Sequence, residues 1–187
     1  MKKVILILAV LVISSGFLWA DGFGLISRIT LDTNNATDQT DTGIFLKPYY
    51  SMMMDETMEL TPFLSFDMDI TSVSGTVVNK YYSIGVGTGL YFHFIQKKII
   101  DLSAGADLGA AFTWDPDISP YFEIDLNIGV PVVLDIKFSE SFLVRISQTI
   151  AYLNFNFTRD NTTNTTSTVL DTLWNGFSPS FGFMFLF

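Results

Sequence analysis

Hydrophobic and polar residues alternate along much of this chain with a period of two. In 121–136 the even positions are Phe122, Ile124, Leu126, Ile128, Val130, Val132, Leu134 and Ile136, while the odd positions include Glu123, Asp125, Asn127, Gly129 and Asp135. The stretch 100–114 repeats the rule, with Leu102, Leu108, Phe112 and Trp114 on one parity and Asp101, Ser103, Gly105 and Asp107 on the other. The same holds for 57–70 and 81–94. A strand sends successive side chains to opposite faces, whereas a helix would scatter these residues round a cylinder. Four less regular segments complete the pattern: 22–31, 43–52, 142–157 and 173–187. In 142–157 the apolar parity switches from Ile146 and Ile150 to Leu153 and Phe155, as a β-bulge near Ala151 would require.

Each of these eight segments is long enough to cross a bilayer as a tilted strand. Their connections alternate in length. The turns at 53–56, 95–99 and 137–141 are short, whereas 32–42, 71–79, 115–120 and 159–172 read as long polar loops. Short turns at one rim and long loops at the other is the asymmetry of outer-membrane barrels, with the short side periplasmic. Lipid offers the peptide group no hydrogen-bond partner, so only a closed sheet satisfies every strand edge. The sequence therefore predicts an all-β, closed, antiparallel, up-and-down transmembrane β-barrel of eight strands. Four prolines oppose a regular ladder, because Pro48, Pro62, Pro131 and Pro179 fall within these segments and lack the N–H a ladder needs.

Composition sharpens the picture. Hydrophobic residues make up 49% of the chain and charged residues 16%, yet after the first twenty residues no apolar run reaches a helical membrane span. That combination is what strands in lipid produce, because their apolar residues occupy alternate positions. Residues 1–20 read as a cleavable signal peptide: Lys2 and Lys3, an apolar run from Val4 to Val12, then Leu18-Trp19-Ala20 before Asp21. The barrel domain is then 21–187. Without Lys2 and Lys3 it holds 8 basic and 19 acidic residues, a net charge of −11, which disfavours nucleic acid as a partner. There is no cysteine, so disulfides contribute nothing.

The apolar parity is large and aliphatic, suited to lipid; the other parity is rich in glycine and charge, suited to a crowded barrel interior. On that inward row lie Arg28, Lys47, Glu59, Asp101, Asp107, Glu123, Asp125, Asp135 and Arg145. Charges inside so narrow a barrel need partners, and the expectation is a polar network that also includes His93. Pairing the fourth and fifth segments around 96–98 places His93, the only histidine, roughly opposite Asp101. A general acid/base role for it lacks an identifiable nucleophile. Tyr49, Tyr50, Tyr81, Tyr82, Trp114, Tyr121, Tyr152 and Trp174 sit near strand ends, as aromatic girdles would. No calcium-loop spacing is present, and no cofactor or metal is expected. Sequons at Asn35, Asn156, Asn161 and Asn164 matter only in a eukaryotic-type secretory pathway.

The C-terminus alternates Phe181, Phe183, Phe185 and Phe187 with Gly182, Met184 and Leu186. This resembles the C-terminal signature of bacterial outer-membrane barrels, and in size and layout the chain looks like the small OmpA/OmpX-type barrels. The resemblance implies residence in the bacterial outer membrane with both termini periplasmic, contact with outer-membrane lipid, and recruitment of the barrel-assembly machinery by the terminal phenylalanines. It implies a structural or surface-interaction role through the external loops, with an unidentified extracellular ligand as a possible partner. The alternatives are a narrow channel for small solutes and, behind it, a lipid-modifying enzyme.

Overall fold

The structure, a computed structural model, describes residues 21–34, 37–115, 121–160, 165–174 and 179–187. The proposed signal peptide lies outside them. The described chain forms strands β1 (Gly22–Asn34), β2 (Gln39–Met53), β3 (Met58–Val73), β4 (Thr76–Gln96), β5 (Ile100–Trp114), β6 (Tyr121–Ser139), β7 (Phe142–Asp160), β8 (Thr165–Trp174) and β9 (Ser180–Leu186). Every pairing is antiparallel, and neighbours in sequence pair in order from β1 to β7. β9 closes the ring, pairing with β1 on one side (Phe23↔Phe185) and β7 on the other (Val144↔Phe183). β8 pairs with β7 further along the same edge (Asn154↔Asp171), so β8 and β9 share the eighth place in the ring. The segment 173–187 is thus not one strand, and Pro179 stands just before β9 rather than inside it.

The long loops of the sequence reading are mostly strand. β3 and β4 meet in a two-residue turn, Ser74-Gly75, where both residues have positive φ (50° and 76°). That is the backbone a tight hairpin requires, and glycine adopts it without a Cβ penalty. β1 and β2 likewise stay paired out to Asn34↔Gln39. These extensions are rich in Thr, Asn and Asp, which reads as loop by polarity. Thr is nonetheless β-branched, and strands beyond the lipid can be polar on both faces.

The remaining prolines lie where the ladder lapses. β2 pairs with β3 at Leu46↔Phe66, Tyr49↔Phe63 and Met52↔Leu60, and the positions around Pro48 and Pro62 between them are unpaired on that edge. Pro131 lies at a register shift: Val130 pairs with Ala151 and Pro131 with Thr149, leaving Ile150 as the extra residue. This bulge switches the apolar parity of β7, placing Ile146 and Leu153 on the same outer face.

The barrel is inside-out relative to a soluble protein. Leu90, Phe92, Leu108, Phe112, Ile124, Leu126, Phe181 and Phe185 are all exposed on the outer surface. The charged Glu59, Asp135 and Arg145 are buried, at 1%, 3% and 2% exposure. Apolar surface left in water costs about 25 cal/mol per Å², so a belt of this extent needs lipid. The fold is a transmembrane β-barrel. Tyr82 and Trp114 stack on its outer face at 5.8 Å, as a girdle pair would. Tyr49 and Tyr152, by contrast, face the lumen; Tyr49 belongs to an interior apolar cluster with Ile26, Leu143 and Met184. The side chains of Tyr121 and Trp174 lie outside the described ones.

Candidate functional site: a sealed lumen beneath an open cup

The inward rows of the strands divide the lumen into two parts. One lies near the rim that carries Asp21 and Phe187, the terminal rim; the other faces the opposite, distal rim. The glycines make room for this filling. Gly24 lies under the ring of Tyr49, where an added Cβ would come within 2.6 Å of Cε1. At Gly87 an added Cβ would come within 2.5 Å of the Phe63 ring, and at Gly89 within 2.5 Å of the Tyr91 ring. Large side chains can therefore cross the axis from β2, β3 and β4.

Arg145 on β7 organises the terminal part. Its Nε donates to Asp135 Oδ1 at 2.8 Å and its Nη2 to Asp135 Oδ2 at 2.7 Å, a two-point pairing across the β6–β7 ladder. Nη2 also donates to Glu59 of β3 at 3.0 and 3.2 Å, reaching across the lumen. The guanidinium lies 5.0 Å from the Tyr49 ring centroid and 5.9 Å from that of Tyr91. His93 extends the cluster, with Nδ1 2.6 Å from Asp101 and Nε2 3.2 Å from Glu59. If both carboxylates are ionised they can only accept, so both ring nitrogens must donate. Lys137 completes the ring, 3.8 Å from Asp101 and more exposed. Around these charges Tyr49, Thr61, Ser103, Val133 and Leu143 are almost wholly buried. The cluster is a plug.

Beyond the plug, Lys47 pairs with Asp107 at 2.5 Å and lies over the Phe63 ring, 3.8 Å from its centroid. Tyr91 donates its hydroxyl to the same Asp107 at 2.6 Å. These side chains floor a cavity of about 390 Å³ whose walls include Arg28, Phe45, Phe63 and Tyr152. A second cavity of about 320 Å³, lined by Asp67, Asp69, Tyr81, Glu123 and Asp125, shares Phe45, Ser65, Ala111 and Asn127 with the first. Together they form a cup open towards the distal rim. A third cavity, about 240 Å³, lies on the other side of the plug and is lined by Asp21, Glu56, His93 and Lys137. It shares no lining residue with the cup.

The ten inward polar residues singled out in the sequence thus lie in separate places. Glu59, His93, Asp101 and Arg145 meet in the plug, and Asp135 belongs with them. Lys47 and Asp107 form their own pair. Asp125 accepts from Asn154 and Asn156, both at 3.1 Å. Arg28 lies 5.4 Å from the Phe45 ring centroid, and Glu123 lines the distal cavity. Register places His93 opposite Ser103, not Asp101, because the β4–β5 ladder shifts between His93 and Ile95. The side chain still reaches Asp101. Tyr91, on the parity of His93, is interior as its parity requires, whereas Tyr49 is interior and not in the girdle expected of it, although it shares the parity of Lys47.

The described residues hold no cluster of His, Asp and Glu suited to a metal ion. Among them, the ring nitrogens of His93 bond to carboxylates and to no hydroxyl that could act as a nucleophile. The described residues also contain no helix long and apolar enough to cross a membrane, which leaves strand crossing untouched. No family model and no curated protein sequence matches the chain. Among solved structures it is similar to the crystal structure of Neisserial surface protein A (NspA), with 11% identity over 89% of this chain and 94% of that one and a TM-score of 0.41.

Proposed function

We propose that this protein is a surface barrel of a bacterial outer membrane, with its terminal rim in the periplasm. Its role is contact with the cell's surroundings through the distal hairpins and cup rather than conduction or catalysis. One observation carries the reading: the fully buried Glu59–Arg145–Asp135 cluster fills the lumen towards the terminal rim, and the cup on its distal side shares no described lining residue with the cavity at that rim. An eight-stranded barrel is narrow enough for side chains to close it. The long paired hairpins β1–β2 and β3–β4 project the chain at the distal rim. The terminal phenylalanine row, facing outwards in β9, supports handling by the barrel-assembly machinery.

Two measurements test this. In a planar bilayer the purified barrel should show no steady openings. A membrane-impermeant amine reagent applied to intact cells should label Lys80, near the distal hairpin, and spare Lys97 and Lys98 at the opposite rim. Steady conductance would favour the narrow channel, and labelling confined to Lys97 and Lys98 would reverse the orientation.

A further inference from the structure

Four of the seven methionines fall within seven residues, at positions 52, 53, 54 and 58 of the β2–β3 hairpin. Elsewhere the outward rows are dominated by Ile, Leu, Val and Phe, with Met68 an isolated exception on β3, so lipid contact alone does not call for a cluster of thioethers here. Their arrangement follows from the register. Met52 pairs with Leu60, Met53 with Glu59, and the Met54 N–H donates to the Met58 carbonyl at 2.8 Å. Glu59 faces the lumen, so Met58 faces outwards, and Met52 shares that face by alternation; Met54, one residue past the end of β2, is held opposite Met58 by its amide hydrogen bond. Opposed residues on an antiparallel pair have Cβ atoms about 4.5–5.5 Å apart, within easy reach of long thioether side chains. The side chains of three methionines therefore start from one face of a single hairpin end. Met54 is 60% exposed.

The turn beneath them is tightly fixed. Asp55 Oδ1 accepts from the Thr57 N–H at 2.7 Å, the Thr57 hydroxyl at 2.9 Å and the Met58 N–H at 2.8 Å. The Met53 N–H donates to Asp21 Oδ2 at 2.6 Å, the His93 N–H to the Thr57 carbonyl at 2.8 Å, and Gln96 Nε2 to the Glu56 carbonyl at 2.5 Å. A hairpin end tied on both sides presents its side chains with little backbone freedom left to lose, which favours ligand capture. Thioethers are soft donors and select soft, low-charge metal ions over Zn²⁺, Ca²⁺ or Mg²⁺. Met53 points to the other face and is not part of the set.

The geometry points to a binding site for a monovalent soft metal ion, Cu⁺ or its redox-inert stand-in Ag⁺, formed by the thioethers of Met52, Met54 and Met58. The ion binds by coordination alone, with no electron transfer. The test uses the full barrel in detergent, with Ag⁺ as the probe and the methionine ε-methyl resonances as the readout. One equivalent of Ag⁺ should move the resonances of Met52, Met54 and Met58 and leave that of Met68, an outward methionine further along β3, in place. Met54→Leu should weaken binding on the order of tenfold or more. Replacing all three by leucine should abolish it, while the heat-modifiable mobility of the folded barrel persists. Asp55→Ala, which frees the turn without removing a ligand, should weaken binding about tenfold or more. The inference is overturned if one equivalent of Ag⁺ leaves the three resonances unmoved, or if the triple leucine variant binds Ag⁺ as tightly as the wild type.

Discussion

Replacing Arg145 by alanine removes the one group among the described residues that hydrogen-bonds both Glu59 and Asp135. Four hydrogen bonds disappear, two to each carboxylate, together with the contacts to the rings of Tyr49 and Tyr91. What remains is worse than a hole. Glu59 and Asp135 are only 1% and 3% exposed, so water cannot replace the guanidinium without opening the plug. Losing one partner of a buried ion pair costs about 3–5 kcal/mol, because the other charge stays desolvated; here Asp135 loses its guanidinium, while Glu59 keeps only the contact with His93 at 3.2 Å and that with Ser51. Solvent screening does not reduce this, since Arg145 itself is 2% exposed. With a urea m value of about 2 kcal/mol/M, the unfolding midpoint should fall by about 2 M, read by loss of the folded band on unboiled gels. Lys137→Ala is the control. Its contact with Asp101 is 3.8 Å long and its side chain is 36% exposed, so about 1 kcal/mol or less is at stake. A triple change, Arg145→Met with Glu59→Gln and Asp135→Asn, should cost less than Arg145→Ala alone, because no bare carboxylate remains. If Arg145→Ala shifts the midpoint by under about 0.5 M, or the triple change is the more damaging, the cluster is not the electrostatic plug described.

Three further outcomes are expected. Leu108→Lys, on the outer face at 52% exposure, should cost about 2–4 kcal/mol in lipid, whereas Val77→Lys near the β3–β4 turn should be nearly neutral; equal effects would mean the belt does not meet hydrocarbon. Gly24→Val should prevent the Tyr49 ring from seating and cost about 1–3 kcal/mol in urea unfolding, with Leu25→Val beside it on the outer face as the mild comparison; matching losses would remove Tyr49 from the plug. The Asp55 carboxyl is held below the usual carboxylate range by hydrogen bonds from the Thr57 amide and hydroxyl, and from the Met58 amide. Its stabilisation of the turn is therefore full above the ordinary aspartate pKa and lost as pH falls through the depressed folded value. The amide resonances of Thr57 and Met58 should shift in that acid window and cease to do so in Asp55→Asn; a transition at or above the ordinary range would contradict the turn geometry.

The face of each central strand is written in the sequence, because a period of two leaves only two choices, and eight apolar residues at successive alternate positions along 121–136 make one of them. The β7 bulge was legible for the same reason: a parity switch between Ile150 and Leu153 has no explanation in an unbroken ladder, and the structure places the extra residue at Ile150. The terminal phenylalanines mark the outer face of the last strand just as directly. Alternation is nonetheless shared by soluble and membrane barrels, and only the closed ring shows the aliphatic row outside and Arg145 within. Tertiary structure also decided where strands end. The polarity of 71–79 suggests a loop, but cross-strand pairing continues through it to Ser74-Gly75, since hydrogen bonds between backbones do not depend on apolar side chains. The plug is the clearest case. Glu59, His93, Asp135 and Arg145 come from four strands, and periodicity places each on the inner face without saying at what height. That height is fixed by the stagger of the strands and by the glycines that let Tyr49 and Tyr91 cross the axis. It is a property of the closed barrel, and one strand's sequence does not contain it.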